Sequence, residues 1–273
     1  MNHSDLELIR ESYKRYAEMS FQINTELSFW DDFFKKCIEK FIENDPDPSR
    51  RVYEAGYYVY DIPHDNMQGW LERMNIEMEK SVLDLRDWYK DFFGRTVNLY
   101  IGKAYNEMEL VLLEAIQKIY FPQITSHTRS KSYYNKINNS LTDYLKANSL
   151  PTVRVNNIHI IEFLKFNNSE FTSFIKMPVR TNYVNNWEGF FEFVSILRNS
   201  VTHFRSVLTT DTINELKSKY QEFVDAFLII EPFEKGYHIM TSKDKDNLWS
   251  LMNDLTANTV KFLTGNQDLL FLS

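Results

Sequence analysis

Cysteine, glycine and proline are scarce in this sequence of 273 residues, and long apolar runs are absent. The one cysteine, Cys37, excludes an internal disulfide and a cysteine-based metal cluster. Seven glycines and seven prolines are few for a β architecture with many turns. No basic segment followed by an apolar run opens the chain, and no stretch of about 18 uncharged apolar residues occurs. We therefore expect a protein that has no membrane segment and is located in the cytoplasm.

Abundant hydrophobic and aromatic residues, by contrast, predict long packed helices. Hydrophobic residues make up 43% of the chain and aromatic residues 15%, enough for a large core. Helical spacing predicts helices over residues 4–16, 30–41, 65–93, 97–120, 138–148, 157–166, 186–204, 212–230 and 248–263. The segments 65–93 and 97–120 form either two helices or one kinked helix. We predict an all-α fold with a boundary near Gly94, which separates an N-terminal helical region (1–94) from a four- or five-helix bundle (95–273).

Two features of the N-terminal region are less regular. Strand-forming residues from Val52 to Ile62 predict a short β hairpin or an extended crossing, and the tyrosines within them belong to the core or to a docking surface. Cys37 falls at helical spacing among aromatic residues, and we expect it to be a small buried hydrophobic residue.

Charge is distributed unevenly along the chain. The net charge of −7 argues against general adhesion to nucleic acid. Residues 122–182, however, contain eight Lys/Arg and three Asp/Glu, so this segment is +5 and the remainder is −12. Such a segment either binds RNA phosphates or forms a solvated polar connection. Its candidate RNA contacts are Arg129, Lys131, Lys136 and Arg154, and Arg205 is a further candidate outside it.

An arginine interrupts the apolar stripe of the helix predicted over residues 186–204. At 100° per residue, Arg198 projects among Trp187, Phe190, Phe191, Val194, Leu197, Val201 and Phe204. A buried arginine without a partner costs several kcal/mol, so Arg198 either meets a carboxylate or belongs to a site that binds an anion. In the first case its partner is a buried glutamate such as Glu107, Glu109 or Glu114, and the nearby His203 merely packs.

His203 lies five positions after Arg198, about 140° around the same helix. Asn199 is one turn before His203 and shares its side. A straight helix therefore does not bring Arg198 and His203 to one point. If they cooperate, the helix is distorted, or a second copy of the chain supplies the complementary residue across a symmetric interface.

The stretch from Arg198 to His203, Arg-Asn-Ser-Val-Thr-His, resembles the R-(N/D/H)-x-x-x-H signature of the HEPN superfamily (higher eukaryotes and prokaryotes nucleotide-binding domain). The resemblance covers residues from about 95 to 265 and implies a four- or five-helix bundle. Many members are metal-independent endoribonucleases of toxin and phage-defence systems, and they act as dimers that pair two motifs in one RNA-cutting cleft. The resemblance thus implies RNA as the substrate and a homodimer or larger assembly.

The resemblance also implies roles for three residues. His203 would act as base or acid near neutral pH, and Arg198 would hold the phosphate oxygens as negative charge grows on them. Asn199 would orient His203 or a ribose hydroxyl. The chain departs from some members at Arg205, where those members carry a tyrosine that is modified, so regulation by tyrosine modification at that position is not implied.

Other chemistries find little support in the sequence. No phosphate-binding glycine loop, zinc-protease motif or serine-hydrolase motif occurs, and the remaining histidines have no ligand spacing, so we predict neither a metal nor a cofactor. Two Asp-x-Asp pairs, beginning at Asp45 and Asp244, lie in polar breaks and are weak metal candidates. The alternative to a ribonuclease is a non-catalytic helical module that binds a nucleotide or a protein. In either case, the N-terminal region is a candidate contact for a protein partner or antitoxin.

Overall fold

The computed structural model describes residues 3–47, 49, 51–52, 56–60, 70–74, 80–125, 129–180, 183–204, 206–233, 236–241 and 244–265. Its helices are α1 (His3–Asn44), α2 (Leu85–Tyr120), α3 (Lys131–Ala147), α4 (Ile158–Asn167), α5 (Ser169–Ile175), α6 (Trp187–Phe204), α7 (Thr210–Phe227) and α8 (Lys245–Thr264). Its strands are β1 (Arg51–Val52), β2 (Gly56–Tyr60), β3 (Trp70–Met74), β4 (Lys80–Ser81), β5 (Val207–Leu208), β6 (Leu228–Phe233) and β7 (Gly236–Thr241). The described part is mostly helical, which confirms the predicted all-α class.

The chain divides into two compact units. The larger unit contains residues 1–27 and 94–273, and the smaller unit contains residues 28–93. The division between the two units at Gly94 coincides with the boundary predicted from the sequence. Residues 1–27, however, belong with the C-terminal bundle and not with the rest of the N-terminal region. The reason is tertiary contact: buried Ser20 of α1 accepts a hydrogen bond from the indole of Trp249 in α8 (2.6 Å).

The core of the larger unit surrounds α6. The apolar stripe predicted for this helix is buried from Trp187 to Leu197, whereas the side chain of Phe204 lies outside the described residues. Phe190 and Phe193 pack on Phe223 of α7, with ring centroids 5.4 Å apart in both pairs. The tight packing of large aromatic rings fixes the direction in which the polar side of α6 points.

A three-stranded antiparallel sheet has the strand order β5-β7-β6. In the chain, β5 lies between α6 and α7, and β6 and β7 follow α7. The helix predicted over residues 212–230 instead spans Thr210–Phe227, with Thr209 as its N-cap. Ile229 and Ile230 pair with Met240 and Ile239 of β7, because β-branched residues gain more from strand pairing there than from extending the helix.

Strands also replace part of a predicted helix in the smaller unit. Residues Trp70–Met74 pair with Gly56–Tyr60, and Arg51–Val52 pair with Lys80–Ser81, so the helix predicted over residues 65–93 begins only at Leu85. Cross-strand pairing supplies partners that helical spacing in the local sequence does not reveal. The strand predicted within residues 52–62 is confirmed over Gly56–Tyr60. From Leu85, α2 runs through Gly94 without a break, so the second predicted segment is part of the same helix.

The second half of α1 corrects one prediction. Cys37 is exposed, not buried as expected. Tyr89 of α2 contacts α1 at Asp31 and Phe34. Cys37 lies outside this contact. None of the helices in the described ranges is long and apolar enough to cross a membrane.

Candidate functional site

Arg198 lies at the junction of α6, α2 and a short 3₁₀ turn (Val155–Asn157). Its Nε donates a hydrogen bond to Oδ1 of Asn106 in α2 (2.8 Å), and its Nη1 donates to Oδ1 of Asn199 (2.8 Å). Asn199 in turn donates to Oδ1 of Asn156 in the turn (2.9 Å). Two of the acceptors that orient the guanidinium are therefore amide oxygens, which carry no net charge.

Asparagine is well suited to the turn that supports this network. Asn156 and Asn157 have φ values of 54° and 55°, in the left-handed region that asparagine tolerates better than most residues. Nδ2 of Asn157 donates to the hydroxyl of Tyr105 in α2 (3.0 Å). Tyr105 is fully buried, and burial raises the pKa of its hydroxyl. The turn is thus tied to both neighbouring helices, which keeps the amides of the site in place.

Glu109 is one of the three glutamates predicted as possible partners of Arg198, and it interacts with Arg198 electrostatically. It lies one turn after Asn106 and Tyr105 on α2. Burial raises the pKa of Glu109, while the charge of Arg198 and a hydrogen bond from Asn157 act in the opposite direction. Arg198 and Glu109 therefore interact electrostatically, and Glu109 takes up a proton more readily than an ordinary glutamate.

Arg129 holds the other two glutamates that were considered. Its Nη1 donates to Glu107 (3.0 Å), its Nε donates to Glu114 (2.8 Å), and its Nη2 reaches the hydroxyl of Ser12 in α1 (3.1 Å). Burial acts to raise the pKa of Glu114, but hydrogen bonds from Arg129, Ser12 and Tyr134 outweigh it and lower the pKa. Arg129 was predicted as an RNA contact; in the structure its guanidinium links the start of the chain to α2.

The other predicted RNA contacts occupy separate places. Lys131 and Lys136 are exposed on α3. Arg154 immediately precedes the 3₁₀ turn and donates to Thr142 (2.8 Å) and Asn139 (3.0 Å) of α3. Arg205 lies outside the described residues, so its position relative to Arg198 is not described. Of the basic segment, Arg154 is thus the residue nearest in sequence to the asparagines that support the Arg198 network.

His203 belongs to the last turn of α6, and its side chain lies outside the part that the structure describes. The chain directly after this turn is anchored by Asn98 of α2. Nδ2 of Asn98 donates to the backbone oxygen of Ile239 (2.8 Å) and to the hydroxyl of Ser206 (3.2 Å), and its Oδ1 accepts from the backbone of Thr241 (2.9 Å). Because Asn98 is buried, these bonds hold in place the backbone that follows α6, the helix that carries the motif.

His159, one of the histidines without ligand spacing, is buried in α4. Its Nε2 lies 2.9 Å from Oδ1 of Asn138, and its Nδ1 has no hydrogen-bond partner within the described ranges. Burial lowers the pKa of His159 to about 4, with a smaller contribution from the charge of Arg154. His159 is therefore neutral at physiological pH.

Sequence reasoning proposed Arg198 and Asn199 as site residues but missed most of the residues that surround them in the fold. Asn106, Asn156, Asn157 and Tyr105 carry no motif and come from two elements distant in sequence. The one available signal was the Asn-Asn pair immediately before a helix, because asparagine favours left-handed turn positions.

Metal ligands do not gather in the described part of the chain, where no three histidine, cysteine or acidic side chains come together. The first Asp-x-Asp pair stabilises a turn, in which Asp45 accepts from the backbone of Asp47 (3.0 Å). In the second, Asp244 caps α8 by accepting from the backbone of Asn247 (3.3 Å). Comparison of the chain with protein-family models, curated proteins and solved structures finds no significant match.

Proposed function

We propose that the protein is a metal-independent endoribonuclease whose active site is built around Arg198, Asn199 and His203. The observation that carries the proposal is the way Arg198 is held. Asn106 and Asn199 accept hydrogen bonds from its Nε and Nη1 at a half-buried position, and these bonds set the orientation in which the guanidinium would meet a phosphate. A planar guanidinium in a partly dehydrated site binds phosphate oxygens well, since it donates two parallel hydrogen bonds.

The chemistry needs a base, an acid and positive charge on the phosphate. His203 removes the proton from the ribose 2′-hydroxyl or protonates the departing 5′-oxygen, because an imidazole titrates near neutral pH. Attack by the 2′-oxygen forms its bond to phosphorus as the bond to the 5′-oxygen breaks, which leaves a 2′,3′-cyclic phosphate and a 5′-hydroxyl. Arg198 stabilises the negative charge on the non-bridging oxygens during this step.

A homodimer fits this proposal. On a regular helix Arg198 and His203 are about 140° apart, so one chain does not readily bring both side chains to one phosphate. Two copies related by a two-fold axis supply Arg198 from one chain and His203 from the other. As an effector in toxin or phage defence, such an enzyme would be directed at cellular RNA and restrained by a protein partner.

A second candidate function is a non-catalytic module that binds a nucleotide or protein. The observation in its favour is Glu109, whose carboxylate interacts electrostatically with Arg198 and competes with a phosphate for the guanidinium. In that case Arg198 and Glu109 stabilise the fold, and the surface around them binds without cleaving.

The test is incubation of the purified protein with total RNA and transfer RNA in EDTA. We expect cleavage to persist in EDTA and to leave 2′,3′-cyclic phosphate ends, and Arg198→Ala and His203→Ala each to reduce the rate by at least about 100-fold. Arg86→Ala is the matched control, because Arg86 forms an exposed ion pair with Glu39 in the smaller unit and should leave the rate unchanged. Cleavage that requires Mg²⁺, or products with 3′-hydroxyl ends, would contradict the proposal. RNA bound but left intact would favour the second candidate.

A further inference from the structure

The second half of α1 exposes a continuous row of aromatic side chains, which we call the aromatic stripe. Its members are Phe29, Trp30, Phe33, Phe34, Cys37 and Phe41, and the exposed fractions of its aromatic residues are 60%, 47%, 45%, 40% and 48% in that order. Monomeric proteins rarely expose so many large apolar side chains in one contiguous patch. The stripe lies wholly within the smaller unit and does not include the Arg198 site.

The rings of the stripe already pack on one another. The ring of Trp30 contacts the rings of Phe29 (5.3 Å between centroids), Phe33 (5.7 Å) and Phe34 (5.6 Å). The rings of Phe33 and Phe34 also contact each other (5.7 Å). Such mutual packing restricts the rotamers before any partner arrives, so less conformational entropy is lost on association. At the C-terminal end the stripe opens into a cavity of about 410 Å³ that Cys37, Phe41 and Pro46 line together with polar residues.

One edge of the stripe packs against α2, and we call it the closed edge. The opposite edge is exposed, and we call it the open edge. On the closed edge, Tyr89 of α2 packs against Phe34 (5.9 Å) and donates a hydrogen bond to Asp31 (3.0 Å). On the open edge, Phe29 and Phe33 come first along the helix, and Lys36 and Lys40 follow. At 100° per residue these four side chains fall within a sector of roughly 60°, so they form a single line along α1.

This arrangement is complementary to itself in one orientation only. When two copies of the helix lie antiparallel, the aromatic end of each open edge faces the lysine end of the other, which allows cation–π contacts. When they lie parallel about a two-fold axis, the open edge of each copy faces the closed edge of the other, so the aromatic and lysine ends do not meet. Lys36 forms an exposed ion pair with Asp32 (2.5 Å), which is weak in water and does not prevent a new contact.

The apolar spacing agrees with the antiparallel arrangement. Trp30, Phe34, Cys37 and Phe41 are separated by four, three and four residues, the spacing of a helical packing seam. In an antiparallel pair, Phe34 then opposes Cys37 of the other copy, and Trp30 opposes Phe41. We propose that the aromatic stripe is a homodimer interface in which a second copy of this chain packs its own stripe antiparallel to the first.

The interface is tested by sedimentation equilibrium of the full chain. We expect the wild type to dimerise and Phe33→Lys to raise the dimer dissociation constant by at least about tenfold, since it places a lysine opposite Lys40 of the other copy. The double variant Phe33→Lys/Lys40→Glu should restore dimerisation, because the introduced lysine faces the introduced glutamate of the other copy only when the helices are antiparallel. Phe21→Lys is the matched control: Phe21 is 75% exposed on the same helix but outside the stripe. Circular dichroism confirms that each variant is folded.

Cys37 provides a second readout because it is the one cysteine in the chain. A short bis-maleimide should cross-link wild-type chains into covalent dimers, whereas Phe33→Lys should cross-link poorly and Cys37→Ser not at all. A wild type that remains monomeric would overturn the proposal. So would cross-linking through Cys37 that Phe33→Lys leaves unchanged. A dimer that persists in Phe33→Lys without this cross-link uses another surface, such as the α6 helices of the proposed function. Failure of the ribonuclease test leaves both measurements unaffected.

Discussion

The two halves of α1 share one helical spacing but differ in what covers them. In the first half, Ile9, Tyr16, Ile23 and Leu27 are at most 3% exposed, while in the second half the aromatic residues of the stripe are 40–60% exposed. The covered half is the less hydrophobic one, since its seam also contains Ser12 and Ser20, both buried. A hydrophobic face on a helix therefore predicts that another surface covers that face. It does not predict whether the covering surface belongs to the same chain.

Polar partners explain how the first half tolerates its serines. Ser20 donates to Asn253 of α8 (2.7 Å) and accepts from the indole of Trp249 (2.6 Å), and Tyr16 also donates to Asn253 (3.0 Å). Buried polar groups with satisfied hydrogen bonds specify one way of packing, because any other alignment leaves them without partners. The stripe of the second half consists of five aromatic rings and one thiol, and this apolar surface fits a partner from another chain.

The largest expected effect comes from truncating the covered half. Ile23→Ala removes a buried side chain and leaves a cavity, so the free energy of unfolding should fall by about 2–5 kcal/mol. Phe21→Ala, two residues earlier on the exposed side of the same helix, should change it by less than about 0.5 kcal/mol. Urea unfolding followed by circular dichroism measures both variants. Equal losses would show that the two sides of this half do not differ in burial.

Acidification should destabilise the larger unit through His159. His159 titrates at about 4 in the folded larger unit and near 6.5 when unfolded, so the unfolded chain binds the proton more readily. Stability from this residue is complete above pH 6.5 and decreases as the pH falls from 6.5 towards 4. Between pH 7.5 and pH 5 the loss should be about 2 kcal/mol, measured as the difference in unfolding free energy.

The control for the acid effect is His159→Gln, which retains a hydrogen-bonding group near Asn138 but does not titrate. Its unfolding free energy should be lower at neutral pH and should depend less on pH over the same interval. If wild type and His159→Gln lose stability in parallel, another group is responsible for the acid sensitivity.

Helical periodicity predicted the positions of α3, α4, α6 and α8 because each has an apolar face that its own sequence displays. It failed for residues Trp70–Met74 and Leu228–Phe233, where pairing with a distant strand decides the structure. Helix α5 was missed because its seven residues are too short to establish a period. Local spacing thus predicts elements that are stabilised by one continuous face, and not those that depend on hydrogen bonds to another strand.

The candidate site shows the same limit. The charge of Arg198 within an apolar stripe was visible in the sequence, and so was the need for a partner. The identity of its partners was not visible, because Asn106 lies 92 residues away and Asn156 reaches the network only through a left-handed turn. Glu109 was one of three glutamates considered, and only the fold distinguishes it from Glu107 and Glu114, which Arg129 engages.

The smallest expected effect concerns the polar contact that aligns the covered half of α1. Ser20→Ala removes the hydroxyl that bonds Trp249 and Asn253, but the indole keeps a hydrogen bond to the backbone oxygen of Ser20 (3.1 Å). The free energy of unfolding should therefore fall by only about 1 kcal/mol. Ser173→Ala is the matched control, since this exposed hydroxyl donates to a backbone oxygen within its own helix, and its removal should have almost no effect. A loss above that of Ile23→Ala would mean that hydrogen bonding, and not apolar burial, dominates the attachment of this half.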